Sequence, residues 1–230
     1  EICVDLLWVM KRYTFTISDG DLAYLRRRAR AHDESVKRLE EMIDTSYTAP
    51  SVALAIPPRD YQRVAARIWL EKKGLLLADD VGVGKTVTAI CGLMDTRTLP
   101  AVVVTLTGTM PKQWHDEIAR FAPKLSVHVV QKSEPYPLPK FMGRGPDVLV
   151  INYHKLNSWS DFLAEYVNSV IFDEVQELRR NESYRYAGAR HVSQSATFRL
   201  GLSATPIYNY GSEIFNVLDI LCPGQLGTRY

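Results

Sequence analysis

The stretch LLLADDVGVGKT at positions 75–86 joins an apolar run to a glycine-rich loop, and an amphipathic segment follows it. Backbone N–H groups of such a loop can approach phosphate oxygens without side-chain obstruction. Lys85 would supply a mobile positive charge for the terminal phosphates, and Thr86 a hydroxyl for Mg²⁺. The predicted phosphate-binding loop consists of Val81, Gly82, Val83 and Gly84. The stretch therefore predicts a strand, a nucleotide-binding turn and a helix in succession.

One position departs from the usual G-x-x-x-x-G-K-[ST] pattern, because Asp79 replaces its first glycine. A second signal supports the same site. The apolar residues 170–172 end in Asp173 and Glu174, and two adjacent carboxylates directly after a buried strand are costly unless they face a cation or a solvent cleft. A helix cap is the alternative reading of the pair. Together the two segments predict a site for ATP with Mg²⁺.

Composition limits the class of protein. The chain has 230 residues, is 46% hydrophobic and carries a net charge of +2, so it can bury a sizeable core while its charge alone does not indicate a nucleic-acid partner. No apolar run is long enough to span a membrane, and the start does not resemble a signal peptide. Cys3, Cys91 and Cys222 lack metal-ligand spacing, so we expect no zinc and an intracellular, non-secreted protein.

From residue 75 onward, short apolar runs alternate with amphipathic stretches. Continuous apolarity is typical of parallel strands that are covered on both faces. The predicted strands are 75–78, 101–105, 127–130, 148–151, 167–172 and 199–203. The predicted helices are 86–95, 111–121, 159–166 and 211–221, and the proline-rich segment 133–146 is predicted to be an exposed connection. This order indicates an α/β fold with a mainly parallel sheet flanked by helices.

The first fifty residues differ and are predicted to form a small accessory segment, residues 1–50. Alternation at 13–17 suggests a strand, and Ser18 with Asp21 resembles a capping box that opens a helix. An apolar face then recurs to Ile43, which favours one helix, or two helices broken near Asp33, docked on the main domain. The arginines of the segment 26–30 could meet a phosphate backbone, although a solvated helix face is favoured.

Several further blocks follow one another in a fixed order. They are PPRDYQ at 57–62, VVV at 102–104 leading into TMPKQW at 109–114, VINY at 150–153, FDEVQ at 172–176 and GLSATP at 201–206. The ordered set resembles the first RecA-like lobe of superfamily 2 helicases and translocases. Ile207, Asn209 and LDILCPGQLG at 218–227 are similar to the Swi/Snf branch, whose members move along double-stranded DNA. The resemblance implies that residues 51–230 form a RecA-like P-loop lobe, and that the second lobe is absent.

The resemblance also implies roles at the nucleotide. Gln62 matches the glutamine that reads the adenine edge, with Arg59 and Tyr61 flanking the base, and a side-chain amide can satisfy both the donor and the acceptor of adenine. Asp173 matches the carboxylate that holds Mg²⁺ through water, and Glu174 the one that positions or activates the attacking water.

Beyond the acidic pair, Gln176 stands where the family often has histidine, and the resemblance implies that it links the nucleotide site to a coupling turn. That turn consists of Ser203, Ala204 and Thr205. The two hydroxyls could bond the acidic motif, or they could form a loop-stabilising ST-turn. Both readings remain open on sequence alone.

For DNA, the resemblance implies backbone contacts by Thr109, Lys112 and Asn152, which would hold phosphate without reading sequence. Thr107 stands where the family commonly has proline. Trp114, on the face of a predicted helix, is interpreted as a packing anchor rather than a platform for base stacking.

The sequence therefore predicts the ATP-binding lobe of a DNA-dependent ATPase that translocates on double-stranded DNA. The complete protein would hydrolyse ATP by joining this lobe to a second RecA-like lobe, and the isolated fragment would be inactive. Two alternatives remain, a lobe of a strand-separating RNA or DNA helicase and a catalytically silent ATP-dependent binding module. Intact Lys85, Thr86, Asp173 and Glu174 argue against the silent module.

Overall fold

The computed structural model describes residues 2–13, 16–44, 46–206 and 211–225. The chain divides into two compact units, Glu1–Thr48 and Ala49–Tyr230. The larger unit carries the sheet and every residue predicted to bind nucleotide or DNA.

The smaller unit contains two helices, α1 (Ile2–Arg12) and α2 (Asp19–Ile43). Ser18 caps α2, because its Oγ accepts a hydrogen bond from the Asp21 backbone N–H at 3.1 Å, so the predicted helix start is confirmed. α2 runs unbroken through Asp33, which excludes the predicted pair of helices. The strand predicted at 13–17 is wrong where it is described, since Tyr13 continues the hydrogen bonding of α1 through Val9. Its centre, residues 14 and 15, lies outside the described residues.

The larger unit alternates strands and helices. Its strands are β1 (Gly74–Leu77), β2 (Ala101–Thr105), β3 (Val127–Val129), β4 (Val148–Asn152), β5 (Ser169–Asp173) and β6 (Phe198–Leu202). Its helices are α3 (Asp60–Lys72), α4 (Lys85–Leu93), α5 (Met110–Phe121), α6 (Tyr153–Tyr166), α7 (Tyr184–Ser195) and α8 (Gly211–Leu221). The six strands form one parallel sheet in the order β1-β6-β5-β2-β4-β3. The predicted α/β fold with a parallel sheet is confirmed.

Both faces of the sheet are covered by helices, which explains why the strands are mostly apolar along their whole length. On one face Val103 and Ile171 pack in a core with Trp69, Ile90 and Ile118. The opposite core contains Val102, Val104, Phe172, Leu156, Trp159 and Val192. Successive residues of a strand therefore point into different cores, as the alternation of side chains in a strand requires.

Three helices were not predicted, α1, α3 and α7, and α6 begins six residues before its predicted start at 159. Asn152 explains the early start of α6, because its Oδ1 accepts a hydrogen bond from the Lys155 backbone N–H at 3.3 Å and caps the helix.

The segment 133–146 is a largely exposed connection, as predicted. Tyr136 fastens it, since its hydroxyl accepts a hydrogen bond from the Gln131 backbone N–H at 3.0 Å.

Candidate nucleotide site

The predicted site residues follow strands that end at one edge of the sheet. In a parallel sheet all carboxyl ends lie on the same side, where ligands of open α/β sheets bind. Register places Leu77, Leu202 and Asp173 side by side at the ends of β1, β6 and β5. Thr105 and Asn152 pair in the same way at the ends of β2 and β4. The glycine loop, the acidic pair and the proposed DNA contacts thus share this edge.

The glycine loop between β1 and α4 uses the conformational freedom of its glycines. Gly82 and Gly84 have φ angles of 84° and 82°, in the left-handed region that favours glycine. A Cβ at Gly84 would approach Nε2 of Gln62 to 2.5 Å, whereas one at Gly82 would meet nothing within 4 Å. Asp79 does not have a positive φ, so the first position of the pattern does not require glycine in this chain.

Lys85 is the first residue of α4, and its side chain folds back over the loop. Its Nζ donates to the carbonyl oxygens of Asp79 at 2.8 Å and Asp80 at 2.9 Å. Thr86 follows at the positive end of the helix. The ammonium and the hydroxyl therefore lie at a helix N-terminus preceded by a glycine turn, an arrangement suited to phosphate.

The residues predicted to surround the adenine are gathered against this loop. The Tyr61 hydroxyl donates to the Val83 carbonyl at 2.7 Å, and Arg59 Nη1 lies 3.4 Å from the same hydroxyl. Gln62 is buried. Its Oε1 accepts from the Arg59 backbone N–H at 2.9 Å, while its Nε2 donates to the carbonyls of Val83 and Gly84 at 3.1 and 3.3 Å. Gln62 thus supports the loop here, and reading adenine requires its amide to exchange these partners.

Asp173 ends β5 with its carboxylate held by two donors. Its Oδ2 accepts from Trp114 Nε1 at 2.8 Å and from Thr105 Oγ1 at 3.0 Å. Burial raises the pKa of Asp173 above its ordinary value, and the hydrogen bonds from Trp114 and Thr105 oppose that rise. Sequence reasoning missed both donors. The only signal was that a buried indole N–H needs a hydrogen-bond partner.

Glu174 adopts φ 53° and ψ 53° before a short 3-10 helix, Val175–Leu178. A left-handed conformation at a residue other than glycine is uncommon and is often found at functional sites. Gln176 Nε2 donates to Glu174 Oε2 at 2.5 Å, whereas its buried Oε1 lacks a partner within the part of the chain that the structure describes. The amide of Gln176 therefore contacts Glu174, the second residue of the acidic pair.

The predicted coupling turn follows β6. Ser203 is buried, and its Oγ accepts from the Thr205 backbone N–H at 2.9 Å, which is the ST-turn that the sequence left open. The Ser203 backbone N–H donates to the carbonyl of Leu77 at 3.2 Å, and Ala204 is half-buried between the two hydroxyl residues. This turn therefore joins β6 to the end of β1, directly before the glycine loop.

The proposed DNA contacts lie at the starts of α5 and α6. Thr109 is exposed at the N-cap of α5. Lys112 is exposed one turn later and forms an ion pair with Asp116 at 2.5 Å. Asn152 is half-buried and caps α6 through its side chain.

The residues present fit a magnesium nucleotide. Thr86 and Asp173 offer the oxygen donors that Mg²⁺ prefers, and Mg²⁺ takes its remaining ligands from phosphates and water. Residues 2–13, 16–44, 46–206 and 211–225 hold no cluster of three or more His, Cys, Asp or Glu side chains that could bind a metal ion. A cavity of about 410 Å³ is lined by Thr86, Met110, Gln113, Trp114, Asp116 and Glu117. Among the described residues, no helix is both long and apolar enough to span a bilayer.

Comparison with known proteins identifies relatives along the whole chain. An uncharacterized ATP-dependent helicase of Mycoplasma pneumoniae is 23% identical over 97% of this chain and 22% of its own length. The TATA-binding protein-associated factor MOT1 of Saccharomyces cerevisiae is 28% identical over 83% of this chain and 11% of its own. This chain thus spans about a tenth to a fifth of these relatives.

The fold is also similar to a solved structure, the Sulfolobus solfataricus SWI2/SNF2 ATPase core in complex with dsDNA. The TM-score is 0.67 at 24% identity, covering 79% of this chain and 39% of that one. The family model described as the SNF2-related domain matches residues 6–230. With nearly its full length matched, the chain belongs to the SNF2-related domain family.

Proposed function

We propose that this chain is the ATP-binding lobe of a DNA-dependent ATPase that translocates on double-stranded DNA. One observation carries the proposal: the glycine loop after β1 and the acidic pair after β5 flank the end of β6. Two strand spacings separate them by about 10 Å, a span suited to a triphosphate with its metal ion.

Each residue of the proposed site has a role that its position supports. Lys85 exchanges the carbonyls of Asp79 and Asp80 for the terminal phosphates, which satisfy its three donors with full negative charges. Thr86 and Asp173 hold Mg²⁺. When bound, this ion neutralises charge on the phosphate oxygens. Glu174 positions the attacking water.

Duplex DNA is the proposed partner. Thr109, Lys112 and Asn152 place a hydroxyl, an ammonium and an amide at the same edge as the nucleotide site, and such groups bind phosphate without reading bases. The solved relative of similar fold is a SWI2/SNF2 ATPase core in complex with dsDNA, which supports the assignment. A second RecA-like lobe of the same protein is proposed to complete the ATPase. We also propose an intracellular location, in keeping with the free thiols of Cys3, Cys91 and Cys222.

The proposal is tested at Lys85. Lys85→Ala removes the charge-assisted contact to phosphate and is expected to weaken Mg-ATP binding by about 1.5 to 3 kcal/mol while leaving the fold intact. Calorimetric titration with Mg-ATP measures this change directly. Lys124→Ala, at an exposed lysine after α5, is the matched control and should bind like the wild type. Equal affinity for Mg-ATP in Lys85→Ala and wild type would contradict the proposed nucleotide site.

A further inference from the structure

Three side chains from three different elements donate hydrogen bonds to Asp173. Trp114 of α5 and Thr105 of β2 both donate to the carboxylate oxygen Oδ2, at 2.8 and 3.0 Å. Tyr153, the first residue of α6, donates its hydroxyl to the backbone carbonyl of Asp173 at 2.8 Å. Side chain and main chain of this one residue are thus fixed by separate donors.

Packing alone does not account for this convergence. Trp114 and Tyr153 are each only 2% exposed, and a buried indole or phenol usually has a hydrogen-bond partner of some kind. Two other aromatic residues of the same unit find theirs elsewhere. Trp159 donates to the carbonyl of Lys132 at 3.3 Å, and Tyr166 donates to the carbonyl of Pro146 at 2.8 Å.

The donors restrict rotation of the Asp173 carboxylate about its terminal torsion, and this rotation sets the direction in which its oxygens face a metal ion. The terminal torsion of an aspartate is broad, so an unsupported carboxylate samples many orientations. Two donors on a single oxygen fix the plane of the group, and the Tyr153 hydroxyl fixes the peptide that carries it. Trp114 also lines the cavity that contains Thr86, the other residue proposed to hold Mg²⁺.

We infer that Trp114, Thr105 and Tyr153 are positioning residues, which orient Asp173 for Mg²⁺ without touching the ion or the nucleotide. The inference rests on the proposed function, since it requires that Asp173 holds the metal of a bound nucleotide. Outer partners of metal ligands commonly contribute about 10-fold to 100-fold to metal affinity. The same bonds join Asp173 to α5 and α6, the helices whose N-terminal ends carry the proposed DNA contacts.

The experiment measures how much Mg²⁺ improves nucleotide binding. A fluorescent ATP analogue is titrated into the 230-residue chain in Mg²⁺ and in EDTA, and the ratio of the two dissociation constants is compared between variants. Trp114→Phe, Thr105→Val and Tyr153→Phe each remove one donor. We expect each to reduce this ratio, by about 10-fold or more for Trp114→Phe, with the affinity in EDTA unchanged.

Matched controls separate positioning from general damage. Trp159→Phe and Tyr166→Phe delete the same atoms at residues that donate to other carbonyls, and both should keep the wild-type ratio. Adding Trp114→Phe to Asp173→Asn should cause no further loss, because the two changes act on one interaction. Thermal unfolding identifies any variant that fails to fold. If Trp114→Phe does not fold, the ratios measured for Thr105→Val and Tyr153→Phe test the inference.

The outcomes distinguish this inference from the proposed function. A wild-type ratio in every folded donor variant, together with a collapsed ratio in Asp173→Asn, would overturn the inference and leave the magnesium site standing. A further loss when Trp114→Phe is added to Asp173→Asn would also overturn it. If the wild-type chain gains no nucleotide affinity from Mg²⁺, the proposed function fails and this inference fails with it.

Discussion

Asp173 is a buried carboxylate, and its burial disfavours the charged form. Burial raises its pKa above the ordinary 3.8, although the hydrogen bonds from Trp114 and Thr105 oppose this. A folded-state pKa above the unfolded value means that the folded protein binds the proton more tightly. The contribution of Asp173 to stability is therefore least unfavourable in acid, and it worsens as the pH rises from the unfolded pKa through the folded pKa.

Asp173→Asn is accordingly expected to raise the melting temperature at about pH 7, because the neutral amide avoids the desolvation of a charge. The difference from wild type should shrink as the pH is lowered, because the native carboxyl takes up a proton as the pH falls through its raised pKa. Thermal unfolding by circular dichroism at several pH values measures both effects. Asp116→Asn should change the melting temperature at pH 7 in the opposite direction, because the hydrogen bond from Lys112 lowers the pKa of Asp116. A lower melting temperature for Asp173→Asn at pH 7 would contradict the prediction.

At the scale of single residues, the sequence identified the chemical groups but not their partners. Lys85 and Thr86 follow a short local pattern, and their places at the start of α4 are set by neighbouring residues. The donors to Asp173 come from positions 59 and 68 residues away. Such pairings depend on how β2, β5 and α5 pack, and no local pattern records this.

At the scale of elements, the predicted strands fall within two residues of the observed ones at each end, because burial on both faces leaves a continuous apolar run. Helix α7 shows why some elements could not be predicted. Its sequence, YRYAGARHVSQS, is not strongly amphipathic and contains Gly188. A Cβ there would meet the Asn157 Cα at 2.8 Å, so close packing against α6 selects the glycine. Tertiary contact, rather than propensity, stabilises this helix.

The first turns of α5 and α6 carry the proposed DNA interface, and a surface of hydroxyl, amide and ammonium groups has a distinct binding signature. We expect weak binding to duplex DNA that is indifferent to sequence and falls steeply with salt, because the affinity comes from phosphate contacts. Lys112→Ala should reduce the slope of log affinity against log salt by about 0.9, the share of one phosphate contact. Fluorescence anisotropy over a salt series measures the slope.

Lys72→Ala is the control for that series, since Lys72 ends α3 just before β1, at the opposite edge of the sheet. Its slope should equal that of the wild type. A tight preference for one DNA sequence that resists salt would contradict a phosphate interface. Selective binding to RNA would instead favour the alternative of a strand-separating helicase.

At the scale of the whole molecule, the chain matches a fraction of its relatives, 39% of the solved SWI2/SNF2 core and 22% of the Mycoplasma pneumoniae helicase. In the superfamily that the sequence resembles, the ATP site lies in a cleft between two RecA-like lobes. The second lobe supplies an arginine to the transferred phosphoryl group. An arginine of this kind accelerates the reaction about 10³-fold to 10⁵-fold.

The isolated 230-residue chain is therefore expected to bind Mg-ATP yet hydrolyse it barely above background, with no stimulation by duplex DNA. Of its own arginines near the acidic motif, Arg179 forms an ion pair with Glu213 at 3.8 Å. Joining the chain to the proposed second RecA-like lobe should restore DNA-stimulated turnover. Glu174→Gln should abolish that turnover while preserving nucleotide binding, because it removes the group proposed to position water. A phosphate-release assay with and without duplex DNA measures each state. Robust DNA-stimulated hydrolysis by the isolated chain would show that an arginine such as Arg179 or Arg180 acts between copies of the chain, or that a single lobe suffices.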